Sequence, residues 1–279
     1  MKWLLPLILM PGPLLADEEK KQPVGVQVSL ISDHASITRG GSFLLGFQIN
    51  HQAGYHTYWQ NPGIAGVATR LAWQLPEGFT AGPIQWPYPE KTSMASYSIY
   101  GYERDVMLVS EITAPADLAG TSVTLKVDAA WMACAKGCYP GSETLEISLP
   151  VADQASNDRT TASVFAKARA EVPSPLDGWR VELLTVKDAE EVRLRLRPDS
   201  QATPPLGDPY FFSADGQISS EKPQPVIFQP DGGCEIVLTR AELGAMDKPS
   251  LPGILKVTGP LAGQSPYFVK IDPVYPVKP

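Results

Sequence analysis

An all-β fold in two sandwich domains, joined by a short helix, is what this chain predicts. Three observations carry the prediction. Apolar residues alternate with polar ones in many short stretches, the pattern of strands with one face on a core. Turn signals such as "RGG", "PEG", "ADG" and "PDGG" separate those stretches at a spacing typical of sandwiches. Only one segment has helical character.

Taken in order, the chain opens with "MKWLLPLILMPGPLLADEE". One Lys precedes an apolar run from Trp3 to Met10, then come the breakers Pro11 to Pro13, and Leu14, Leu15 and Ala16 lead into an acidic stretch. That order is a secretory signal peptide over 1–16, cleaved after Ala16. The run is shorter than the roughly 20 apolar residues of a membrane span. The mature product is therefore expected to be exported, where disulfides persist.

A first domain is expected over 20–155. Val24, Val26, Val28 and Leu30 share one strand face, as do Val123, Leu125 and Val127, and then Leu145, Ile147 and Leu149. The stretch "SNDRTTASVFAKARAEV" follows, with a capping-type start at Ser156 and Asn157, an Ala-rich body, and Pro173 and Pro175 beyond its end. It predicts a helical connector over 156–175. A second domain is expected over 176–279, where Val181 and Leu183, then Val192, Leu194 and Leu196, then Ile236 and Leu238 restore the period of two.

Composition narrows the function. The chain has 279 residues, 43 % of them hydrophobic, which is enough for more than one core. The formal charge is −7 with acidic and basic residues interspersed, so no basic stripe invites nucleic acid. There is no G-x-S-x-G, no glycine-rich phosphate loop and no H-E-x-x-H. The Glu190–Glu191 pair falls between two strands, where solvated charge accounts for it.

The three cysteines carry the remaining signal. Cys134 and Cys138 are separated by three residues, between strand patterns ending near Trp131 and starting near Thr144, so they belong at the turn of a hairpin. Cross-strand neighbours there lie within disulfide reach, and Gly137 is expected to supply the conformational freedom of a tight connection. Such a bond closes a very short loop and stabilises little in the chain-entropy model. Lys136, between the two, favours a thiolate. Spacing alone leaves a working disulfide and a passive one both open. Copper(I) held by both cysteines and a methionine, with Met132 near in sequence, is a third reading; zinc lacks further ligands. His34, His51 and His56 are scattered and read as surface or packing residues. Cys234, on one face with Ile236 and Leu238, reads as a buried core thiol.

Four motifs in fixed order then resemble a known family: "AGYHTYWQNPGIAG" (53–66), "LAWQLPEGFTAGPIQWPYPE" (71–90), "YGYERDVML" (100–108) and "DAAWMACAKGCYPG" (128–141). Together they resemble the N-terminal periplasmic domain of the thiol:disulfide interchange protein DsbD, more closely its ScsB-like relatives, over about residues 24–152. "PYFFSADGQISSEKPQP" (209–225) resembles the second β domain of ScsB-like members.

The resemblance implies two immunoglobulin-like β-sandwich domains and a periplasmic location, although the usual Cys, Trp and Cys pattern of immunoglobulin strands is absent. It implies that Cys134 and Cys138 cycle between dithiol and disulfide, with the attacking and resolving roles unassigned. It implies a protein-disulfide reductase component that takes electrons from a membrane-embedded DsbD-like reductase or thioredoxin-like domain and reduces periplasmic thiol–disulfide proteins. No flavin, haem, nicotinamide or other cofactor is implied. "YSIYGYE" (97–103) matches the segment that shields the cysteines in the family. Tyr100 and Gly101 fall on its Tyr-Gly, Ile99 takes the place of its apolar shield, and Tyr58 joins the cysteine pocket. Tyr97 and Ser98 stand where some members carry an acidic pair, which removes a carboxylate proton relay at those positions.

The family's membrane conduit and thioredoxin-like domain do not follow in this sequence. A fragment, a free-standing module served by a separate reductase, and a module with changed partners all fit that departure. A non-catalytic adaptor with a passive disulfide and a copper-handling module are the competing functions.

Overall fold

The computed structural model describes residues 24–277 except 202, 204, 245, 246 and 260–265. The expected signal peptide over 1–16 lies outside the described residues.

The chain is built almost wholly of β-strands, with one helix among the described residues. In the first half, one sheet runs Val26–Ser32, Ser42–His51, Val106–Thr113 and Thr80–Ala81. A second runs Cys138–Pro150, Ser122–Cys134 and Arg70–Gln74. Their inner faces meet in a core where Phe43, Leu45 and Ile112 of the first pack with Val123, Leu125 and Leu149 of the second. This is sandwich packing, each sheet burying alternate residues. The alternation read from the sequence is the buried face: Val123, Leu125 and Val127 are buried, whereas Thr124 and Lys126 between them are exposed. Val24 is the exception, an exposed residue ahead of the first strand.

A third, three-stranded sheet, Thr57–Gly63, Tyr97–Tyr102 and Glu90–Met94, stands beside the disulfide hairpin. Its middle strand is the segment expected to shield the cysteines.

The second half contains two four-stranded sheets. One runs Ser174–Pro175, Tyr267–Ile271, Gly253–Thr258 and Gly207–Ser213, the other Trp179–Leu183, Glu191–Pro198, Cys234–Thr239 and Val226–Phe228. Leu194, Leu196, Ile236 and Leu238 face Phe211, Leu255 and Val269 in its core. Cys234 is there too, free and buried.

The helix differs from its prediction. It spans Ala162–Glu171, and Ser156–Asn157, the expected start, instead pairs as a short strand with His34–Ser36. The Asp158 carboxylate turns the chain by accepting from the Thr160 amide at 2.8 Å, so the helix begins only after Thr161. Nor is it a free connector: Phe165 and Ala168 are buried against Met107 and Val109 on the outer face of the first sheet. Thr161 donates to the Ser32 carbonyl at 2.8 Å, and Arg169 pairs with Asp33 at 3.3 Å. No helix among the described residues is long and apolar enough to cross a membrane.

Candidate functional site

The hairpin ladder runs without interruption from Ser122 opposite Pro150 to Cys134 opposite Cys138. The cysteines are therefore its last pair, with strand extending further than the sequence pattern indicated. They form a disulfide, with Cα atoms 4.1 Å apart. The loop closes through the Ala135 amide, which donates to the Gly137 carbonyl at 2.9 Å. Gly137 does not need its conformational freedom, since it is not among the residues with positive φ. A side chain there would only brush the hydroxyl of the exposed Tyr139, at 3.3 Å from the added carbon.

The two sulfurs live in different surroundings. Cys134 is wholly buried, whereas Cys138 is exposed. On the side away from Cys138, the Cys134 backbone exchanges two hydrogen bonds with His56, at 2.9 and 3.0 Å. One cysteine is thus locked between two strands and the other sits at an open edge.

Tyr58 lies over the buried sulfur. Its hydroxyl is 3.0 Å from Cys134 Sγ and 3.1 Å from Met94 Sδ, and His56 Nε2 is 3.4 Å away. A phenol has one proton to donate, so the two sulfur acceptors compete for it. Burial raises the Tyr58 pKa and lowers that of His56, so at neutral pH the phenol keeps its proton and the imidazole is uncharged. The Tyr58 ring is held in turn by Gly66, at φ 112°, where any side chain would collide with the ring.

Ile99 packs with Tyr58 and Cys134, joined by the partly buried Ala65, Met94 and Met132. Gly101, two residues on, has no room for a side chain because the Thr57 carbonyl fills the space. Tyr100 points the other way, as the period of two requires: it packs with Trp59 and Phe212. The structure therefore brings Cys134, Cys138, Tyr58 and Ile99 together and leaves the Tyr100 side chain outside the pocket. The segment is a regular strand carrying buried tyrosines, with one residue turned toward the cysteines.

Met94 and His56 escaped the sequence reading. Met94 Sδ is 3.7 Å from Cys138 Sγ, and Met132, which the sequence had singled out, packs in the same cluster. Nothing local marks Met94, because it arrives through the packing of the hairpin Glu90–Met94 and Tyr97–Tyr102 against the cysteines. His56 opens a run of consecutive buried residues with Thr57, Tyr58 and Trp59, whereas His34 and His51 are half-buried. Among the described residues, no group of three or more His, Cys, Asp or Glu gathers to hold a metal; the soft donors in the cluster are the cysteines, Met94 and Met132. Cys234 is remote in the other half, and burial pushes its thiol up to about 11.

Against this geometry, the family described as thiol:disulfide interchange protein DsbD, N-terminal, matches residues 27–150. The chain is similar in structure to the N-terminal periplasmic domain of ScsB from Proteus mirabilis, with a TM-score of 0.62 and 15 % identity, covering 91 % of this chain and 95 % of that one. At that identity the likeness is one of fold, and it spans both halves. A protein of unknown function from Porphyromonas gingivalis W83 aligns over 90 % of this chain and 99 % of its own at 9 % identity, but its TM-score of 0.26 supports no comparison. No curated protein matches the chain.

Proposed function

Residues 27–150 form a domain of the DsbD N-terminal family, with a role in thiol–disulfide exchange, and from that premise we propose that Cys134 and Cys138 pass electrons from a membrane-embedded DsbD-like reductase or thioredoxin-like domain to periplasmic thiol–disulfide proteins. In this reading residues 1–16 direct export, 20–155 are the redox sandwich, 156–175 the docked connector and 176–279 a second sandwich.

The contrast between buried Cys134 and exposed Cys138 supports the reading. A reducing partner's thiolate attacks Cys138 Sγ, the accessible sulfur. The new bond joins the partner sulfur to Cys138, the Cys134–Cys138 bond breaks, and its electron pair leaves on Cys134 as a thiolate. Tyr58 is already 3.0 Å from that sulfur and donates a hydrogen bond to the new charge, since a thiolate accepts more strongly than a disulfide sulfur or the Met94 thioether. The partner's second thiolate then attacks its own sulfur in the mixed disulfide and releases Cys138, leaving the dithiol. Delivery runs in reverse: Cys138 attacks an oxidised partner, and Cys134 resolves the mixed disulfide.

The experiment that tests this is the reduction potential of the pair in buffers of defined poise, read by alkylation and mass spectrometry. A potential above about −300 mV with rapid exchange supports a working pair. A bond that stays closed below that value refutes it and leaves the passive-disulfide adaptor.

A further inference from the structure

The second half reaches the site without touching a cysteine. It does so through the back of Tyr97–Tyr102, the strand whose Ile99 packs with Cys134. The Tyr100 ring meets Phe212 edge-on at 4.9 Å between centroids, and its hydroxyl is 3.1 Å from that of Tyr210. The Ser220 hydroxyl donates to the Ser98 carbonyl at 2.7 Å and accepts from the Ile64 amide at 3.1 Å. Asn61 donates to the Ser213 carbonyl at 2.7 Å.

These bonds fall where the strand ladder is broken. Between Thr57–Gly63 and Tyr97–Tyr102, Tyr58 pairs with Gly101, and the next pair is Gly63 with Ile99. Residues 59–62 face this gap without ladder partners, and on the opposite strand Tyr100 is left unpaired on that side. A broken ladder is where local opening begins. Ser220, itself buried, ties the two strands together just beyond the gap, next to the isolated Gly63–Ile99 pair, with one hydroxyl bonded to both. Gly63, at φ 85°, leaves it room: a side chain there would collide with Ser220.

We infer that the second half braces the strand Tyr97–Tyr102 shut over Cys134, with Ser220 as the positioning residue. Removing the hydroxyl takes away the shared partner of the Ser98 carbonyl and the Ile64 amide in a partly buried place, which favours opening by about fivefold. The consequence for exchange rests on the proposed redox role of the cysteines, whereas the brace itself can be read without it.

The test compares the whole chain with its Ser220→Ala and Ser220→Ala/Tyr210→Phe variants. Hydrogen exchange by mass spectrometry follows peptides covering 97–103, and in the reduced protein alkylation by iodoacetamide follows the uncovering of Cys134. The expected result is about fivefold faster exchange over 97–103 in Ser220→Ala and more in the double variant, with Cys134 alkylation accelerated in step and Cys234–Thr239 unchanged. Unchanged exchange over 97–103 overturns the brace. So does acceleration spread equally to Cys234–Thr239, which would be general loosening. Faster exchange over 97–103 with wild-type alkylation of Cys134 overturns the shutting of Cys134. If the disulfide of the oxidised protein stays closed in every variant below the potential that separates a working pair from a passive one, the redox reading falls, while faster exchange over 97–103 with faster Cys134 alkylation still supports the brace.

Discussion

The Tyr58 hydroxyl stands 3.0 Å from the buried sulfur of Cys134, on the far side of the disulfide from solvent. In the oxidised protein this is a weak contact, because a disulfide sulfur is a poor acceptor. It becomes a charge-assisted hydrogen bond when Cys134 leaves as a thiolate. Tyr58→Phe keeps the ring and its packing and removes only the donor. Reduction by a small thiol is expected to slow by about tenfold, the effect of losing on the order of 1.5 kcal/mol of thiolate stabilisation. The pH profile of alkylation in the reduced variant should shift upward for Cys134. An unchanged profile would show that the phenol does not serve the thiolate.

The different exposure of the two sulfurs gives a second expectation. Cys134→Ser leaves the accessible Cys138 without its resolving partner, so mixed disulfides with a thioredoxin-like protein should accumulate and be visible by intact mass. Cys138→Ser leaves only the buried thiol, and trapping should be at least tenfold less, since reactivity follows access. Equal trapping by both variants would remove the assignment of Cys138 as the attacked sulfur.

How much of this was legible beforehand can be judged residue by residue. The strand faces were, because Leu125, Leu194 and Ile236 obey a period that the chain itself displays. The cysteine hairpin was legible for the same reason, since its register is local. Met94 was not: its pairing with Tyr97 is local, but its contact with Cys138 depends on how that hairpin lies against the cysteine hairpin, which tertiary packing sets. The helix start was misplaced because a Ser-Asn pair caps helices and also ends strands, and pairing with His34–Ser36 decided between them. Tyr100 matched its family position in sequence, yet its side chain faces the second half, an orientation fixed by the pleat and not by the motif.

The helix is expected to matter to the fold despite its place between the halves. Phe165 is buried against Met107 and Val109. Phe165→Ala should cost about 3–5 kcal/mol, the usual range for emptying an aromatic site. Urea denaturation read by tryptophan fluorescence would measure it. A loss below about 1 kcal/mol would mean that the helix is a tether whose docking adds little.

Cys234 gives a direct control on the thiol chemistry. Burial pushes its thiol up to about 11, so at neutral pH it is overwhelmingly protonated as well as inaccessible. In the reduced native protein, iodoacetamide should label Cys138 and leave Cys234 unmodified until denaturant is added. Native labelling of Cys234 at a comparable rate would contradict its place in the core.

His51 links the same region to pH. Its Nε2 is 2.9 Å from the Thr57 hydroxyl, and burial lowers its pKa to about 4 despite the opposing pull of Asp105. The sign follows from linkage: an unfolded histidine takes up its proton near 6.5, while the folded one resists until about 4. Its contribution is therefore fully present above pH 6.5 and is lost as pH falls from there to about 4, where the loss levels off at the order of 3 kcal/mol. His56, lowered by burial in the same direction, adds to the slope. His51→Gln cannot be protonated, so its stability should decline less over that interval even if it starts lower at pH 7. Denaturant titrations at pH 7, 5.5 and 4 read this directly. Parallel declines in wild type and variant would show that His51 is not the group that makes the strand Thr57–Gly63, and with it the Tyr58 contact to Cys134, sensitive to acid.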